Sequence, residues 1–235
     1  MRTSPTASAL RALWQGLAFF TILPSPASPR RADGDLERAG LALPFVGLVL
    51  GLVKLAGDAV LAGMAPELRG ASLTVLWLLS TGALHFDGLC DTGDAVLTAT
   101  TIEGRQRIVA DPGVGSYALA AGASVLIVKF AALSQPLPRS WLAVVPLLAR
   151  CVALPVAALH RSHAASRPGA AARPPLRAAA IAALAGVTAA TVVAEATGRV
   201  GTVLLAAAVA LPLALGQASI IARRLGGLVI AATVL

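Results

Sequence analysis

The sequence predicts an all-α fold, a polytopic membrane helical bundle of about six transmembrane helices with a short C-terminal apolar segment. Three observations carry that reading. Of the 235 residues 57% are hydrophobic and only 13% charged, with a mean hydropathy of +0.81, whereas a soluble domain carries roughly 25% charged residues. The apolar residues fall in long runs of about the 20 residues that a spanning helix needs. The connections between runs are short, so the chain reads as a single integral-membrane domain over residues 1–235. Disorder, collagen and disulfide scaffolds are excluded together. In lipid each backbone polar group must be satisfied within its own segment, which makes these runs helices.

The elements follow in order along the chain. A weak apolar stretch at Leu17–Leu23 is closed by Pro24 and Pro26, with no cleavage signature, and is not read as a signal peptide. The spans are then Leu41–Met64, Gly70–Leu84, Val114–Leu137, Trp141–Leu159, Leu176–Ala194 and Val200–Ala222. The second has a short apolar core. It runs on past His85 into an aspartate cluster, or it is tilted or partly re-entrant, and the sequence leaves these alternatives open. The richness in Ala and Gly suits close helix packing through small side chains. Cys90 and Cys151 lie 61 positions apart with no C-x-x-C pair and are expected as free thiols.

The formal charge of +8 reports orientation rather than nucleic-acid binding. With loops alternating sides, thirteen arginines fall on one side and only Arg69, Arg139 and Arg199 on the other, while Lys54, Lys129 and Arg150 lie within spans. The positive-inside rule makes the arginine-rich side cytoplasmic, including both chain ends and the loops at 86–113 and 161–175. The chain is thus expected in a membrane with its arginine-rich side in the cytoplasm and the lipid bilayer as its surroundings.

Most carboxylates share that side, and the densest stretch reads His85-Phe86-Asp87-Gly88-Leu89-Cys90-Asp91-Thr92-Gly93-Asp94. At i, i+4 and i+7 the aspartates share one helical face, where their repulsion is costly unless a cation compensates it. All-oxygen donors that keep water suit Mg²⁺, with Mn²⁺ possible, better than zinc. A solvated acidic helix end is the plainer reading of the same spacing. Lys129 and Arg150 are charges inside spans, which normally face the bundle interior and mark a site, or else pair with one another or with backbone. Lys54 and Asp58, four apart, most simply neutralise one another. His160 and His163 have helical spacing, but the flanking arginines favour a solvated face.

The run from Gly82 to Asp94 closely resembles the G-G-x-H-x-D-G-L-x-D-T-x-D signature of the cobalamin synthase family, the adenosylcobinamide-GDP ribazoletransferases. Phe20-Thr21-Ile22-Leu23-Pro24 is similar to the family's F-x-T-R-x-P opening, and Pro44, Gly47 and Gly51 resemble its first span. Asp111-Pro112-Gly113-Val114-Gly115-Ser116 is similar to its D-S-R-x-G-T segment, and Lys129 and Arg150 stand at its lysine and arginine positions.

The resemblance implies transfer of α-ribazole, or its 5'-phosphate, to adenosylcobinamide-GDP with release of GMP. It implies Asp87, Asp91 and Asp94 as metal-holding and catalytic residues and Asp111 as a further catalytic one. His85, Lys129, Arg150, Gly115 and Ser116 are the implied substrate contacts. The alternatives are another Mg-dependent membrane phosphotransferase of the CDP-alcohol type, whose longer D-x-x-D-G-x-x-A-R pattern is missing, or a non-catalytic membrane protein. The chain departs from the family at Ile22, which takes an arginine position, and at Ala110 and Gly113, where basic residues are usual. After Leu225-Gly226-Gly227 the family's T-G-D-x-x-G-A stretch is replaced. From Leu225 onward 11 residues remain, about 17 Å of helix against a hydrocarbon core of about 30 Å. This predicts a shortened or altered C-terminus and impaired activity.

Overall fold

The computed structural model describes residues 5–26, 40–159, 175–195 and 198–225. Within them the chain is helical: α1 Pro5–Phe20, α2 Leu43–Val60, α3 Pro66–Ser80, α4 Leu84–Leu97, α5 Ile102–Ala110, α6 Ser116–Leu133, α7 Ser140–Leu159, α8 Leu176–Glu195 and α9 Val200–Leu225. Five of these, α2, α6, α7, α8 and α9, are long and apolar enough to cross a membrane. α3 and α4 together pass the same test as a pair bent by 90°. The about six expected spans are therefore five continuous helices and one bent pair, and the protein is an integral membrane protein.

α7 is the central post, packed against α2 on one side and α8 on the other, with α9 touching both α7 and α8. Its face of Leu142, Val144, Leu147, Leu148, Cys151, Leu154 and Val156 is buried. Small residues let α2 approach it. A Cβ at Gly47 would meet the Pro146 carbonyl oxygen at 2.6 Å, and one at Gly51 would meet Ala143 Cα at the same distance. That is the close backbone contact small residues provide where the surrounding lipid gives no hydrophobic drive. α6 instead packs on α3 and α4, leaving Leu119, Ile127 and Val128 exposed toward lipid.

The break between α3 and α4 comes at Gly82 and Ala83, whose φ values of 57° and 56° are left-handed. A glycine adopts that conformation freely, while for Ala83 it costs roughly 1–2 kcal/mol. Ala83 stands at the second glycine of the signature, so the paired glycines are a backbone requirement of the bend. The chain before α2 buttresses the bend, because the Ile22 amide donates to the Ser80 carbonyl at 3.0 Å.

Lys54 and Asp58 do not neutralise one another. Asp58 is fully buried and is held by Arg69 of α3 and by Arg139, the latter at 3.0 Å. Arg69 donates through both Nε and a terminal nitrogen, a forked grip that a lysine cannot match. The carboxylate thereby ties α2, α3 and the α6–α7 connection together at one end of the bundle. Two elements went unread in the sequence, α1 and α5. The former is amphipathic and short of a span, and the latter is a polar nine-residue helix capped by Thr101, whose hydroxyl accepts from the Gly104 amide at 3.2 Å. His160, His163 and the C-terminal tail lie outside the described residues.

Candidate active site

The carboxylates gather where α4, the end of α5 and the start of α6 meet. α4 places Asp87 and Asp91 one turn apart, as their spacing requires. Across from them the chain leaving α5 supplies Asp111, Pro112 and Gly113, and a cavity of about 250 Å³ lies between. Asp87, Cys90, Asp91, Val109, Ala110, Asp111, Gly113 and Val114 are among its lining residues, and no lysine or arginine is among the described residues that line it. Ala110 and Gly113, the positions where basic residues were expected, thus sit on the cavity wall itself. Ile22 lies farther back, exposed beside Gly82 at the bend.

Asp94 occupies a different environment. It is buried, and its two oxygens accept hydrogen bonds from the amides of Gly115 at 2.6 Å and Ala118 at 2.8 Å. Those are N–H groups at the start of α6, which no intrahelical carbonyl can satisfy. Gly115, the N-cap residue, has no side chain to offer. Asp94 serves as the cap from another helix, and its negative charge complements the N-terminal end of the helix dipole. Gly115 is constrained in turn, since a Cβ there would lie 2.6 Å from the Asp94 carboxylate. The carboxylate therefore points at α6 while Asp87 and Asp91 face the cavity.

Asp111 is exposed and accepts from the Gly113 amide at 2.8 Å, a turn that shapes its loop. Ser116 opens α6 and is exposed. His85 sits on the far side of α4, 2% exposed, its ring 5.9 Å from that of Phe20. Neither of its nitrogens finds a hydrogen-bond partner among the described residues. Lys129 lies thirteen residues into α6, about 20 Å along the helix from its start, with its ammonium 3.7 Å over the Trp77 ring. Arg150 is buried in α7 and donates to the Pro146 carbonyl at 3.3 Å. The structure thus brings together Asp87, Asp91 and Asp111, places Asp94, Gly115 and Ser116 at their border, and holds His85, Lys129 and Arg150 elsewhere in the bundle.

The surroundings use residues that charge counting had treated only as topology signals. Arg224 donates to the Val96 carbonyl at 3.1 Å and Arg105 to the Thr98 carbonyl at 3.2 Å, both at the C-terminal end of α4. Gln106 reaches the Leu225 carbonyl at 3.0 Å. These cations complement the negative end of the α4 dipole and fasten α9 to the site. At the start of α5 the Glu103 carboxyl is held below its ordinary range by its own backbone amide and by the Thr101 hydroxyl. No three carboxylate, histidine or cysteine side chains among the described residues converge tightly enough to hold one metal ion by themselves.

Comparison with known proteins shows the family of the chain. The family described as cobalamin-5-phosphate synthase matches residues 12–229. The chain belongs to that family. Among its relatives, an adenosylcobinamide-GDP ribazoletransferase of Pseudomonas aeruginosa is 37% identical over 142 residues, which is 59% of this chain and 57% of the relative. Proteins of the same name from Methanopyrus kandleri and Deinococcus radiodurans are 37% and 40% identical, over 64% and 61% of this chain and 62% and 52% of their own. The chain thus spans a little over half the length of the curated relatives it matches. No solved structure matches.

Proposed function

We propose that this chain transfers α-ribazole, or its 5'-phosphate, to adenosylcobinamide-GDP and releases GMP. The single observation that carries the reading is the cavity walled by Asp87, Asp91 and Asp111, with no cation among the described residues that line it, in a chain whose relatives bear the name adenosylcobinamide-GDP ribazoletransferase. In the reaction a ribazole hydroxyl attacks the cobinamide-linked phosphorus, the bond from that phosphorus to the GMP oxygen breaks, and the hydroxyl proton is lost. Such a displacement demands alignment and charge neutralisation more than covalent chemistry.

The donor set suits Mg²⁺, with Mn²⁺ as a substitute. Mg²⁺ keeps several waters and is commonly held by one or two carboxylates together with substrate phosphates, so three converging side chains are not required. Asp87 and Asp91 would hold the ion, with Asp94 at the border of the site. A bound divalent ion supplies neutralisation of the pyrophosphate and a lower pKa for the attacking hydroxyl. Asp111, on the facing wall, is placed to take the hydroxyl proton or to add an oxygen donor. Asp94 fixes the start of α6 and with it the loop that carries Asp111.

The carboxylate cavity faces the cytoplasm in this reading, in a bacterial cytoplasmic membrane, supported by the thirteen arginines that share its side. The test supplies purified protein in detergent with adenosylcobinamide-GDP, α-ribazole and Mg²⁺ and follows GMP. GMP formation that requires all three is the expected result. Its absence at full protein folding, with CDP-linked substrates consumed instead, refutes the assignment.

A further inference from the structure

A second charged region lies at the other end of the bundle. Lys54 of α2 is 6% exposed and Arg150 of α7 is 2% exposed. These two and Lys129 stand close enough for each to feel another's charge. No carboxylate among the described residues answers them, because Asp58, the nearest in sequence to Lys54, is taken up by Arg69 and Arg139. Two of the Arg150 nitrogens, Nε and one Nη, are buried without a hydrogen-bond partner among the described residues. Uncompensated charges inside a bilayer are costly and are retained where a partner or ligand meets them.

A cavity of about 440 Å³ opens between α6 and α7 beside the two lysines, and Arg150 is not among its lining residues. Lys54 and Lys129 supply its charge and Ser124 a hydroxyl, and Leu133, Leu137, Trp141 and Val145 are part of the remaining, apolar wall. An occupant must therefore bring negative charge to one point and hydrocarbon to the rest. Depth narrows the choice further. Lys129 is four residues from the end of α6 and Lys54 six from the end of α2, so they lie about 6 and 9 Å inside the helix ends. Lysine stems reach that far toward the headgroup level.

We propose that this cavity binds an anionic phospholipid of the leaflet opposite the aspartates, with its phosphate between Lys54 and Lys129 and an acyl chain along α7. The assignment is independent of the transfer reaction. Purified, delipidated protein is offered phosphatidylglycerol, phosphatidylcholine of the same acyl chains, or inorganic phosphate, and retained molecules are counted by native mass spectrometry. Phosphatidylglycerol is expected to be held at least tenfold more strongly than phosphatidylcholine, and the Lys54→Gln, Lys129→Gln double variant to lose that preference. Ala132→Trp, which fills the exposed rim and keeps both charges, is expected to lose phosphatidylglycerol as well and decides the matter if the double variant fails to fold. Equal retention of the two lipids, an unchanged preference in the double variant, or undiminished binding in Ala132→Trp overturns the proposal. Inorganic phosphate that displaces the lipid at equal concentration overturns it too, by making the ligand a soluble anion.

Discussion

Asp58 and the aspartates of α4 are the same residue type at opposite ends of one bundle, and their partners separate their roles. Asp58 is sealed from solvent with two guanidinium groups upon it. Asp87, Asp91 and Asp111 border a cavity with no cation among the described residues of its wall. The first arrangement satisfies its charge internally and fastens helices. The second gathers carboxylates around open space. Asp94 lies between the two cases, satisfied by backbone amides rather than by a cation, and its job is to hold a helix that the site needs.

The comparison can be broken most forcefully at Asp58. Replacing both Arg69 and Arg139 by glutamine leaves a buried, uncompensated carboxylate, and the expected loss is about 3–5 kcal/mol of stability, read from unfolding in detergent. An unfolding curve superimposable on the parent's would show that the arginines do not hold the carboxylate. At the other end, Asp87→Asn or Asp91→Asn is expected to lower GMP release about a hundredfold, roughly 2.7 kcal/mol of barrier. Asp87→Asn, at an exposed position, is expected to leave the unfolding temperature in place. Unaltered Mg²⁺-dependent turnover in both variants would remove these carboxylates from the chemistry.

The smallest effect belongs to Asp94. Asp94→Ala strips α6 of its cap and is expected to cost about 1 kcal/mol, with faster amide exchange at Gly115 and Ala118. Asp94→Asn, which keeps an accepting oxygen, is expected to retain most of the protection. Equal protection in the alanine variant would mean that α6 starts without the carboxylate's help.

The spans were legible because membrane helices announce themselves in unbroken apolar runs, and five of the six runs became single helices with ends shifted by a few residues. The bend was half legible. The second run was too short for a span, yet only the structure shows two consecutive left-handed residues turning the chain. The i, i+4, i+7 spacing placed the aspartates on a common face. That Asp94 would be claimed by amides 21 and 24 residues away is tertiary information that no local period contains. The same holds for Asp58, where four-residue spacing to Lys54 made a local pair plausible and a forked arginine from the next helix won. Arg105 and Arg224 were counted as loop charges, because nothing in composition reveals that a guanidinium will meet the carbonyls ending a particular helix.

The right-angle bend has a mechanical consequence. α6 touches both limbs, meeting α3 where Lys129 lies over Trp77 and α4 where Asp94 grips its first turn. The contact points are about 20 Å apart along α6, so the two limbs and α6 form a triangular truss with α6 as the tie. A triangle keeps its angles unless one side changes length, and the limbs cannot fold or flatten without pulling the tie loose at an end. The direction in which Asp87 and Asp91 aim is accordingly set by the frame itself.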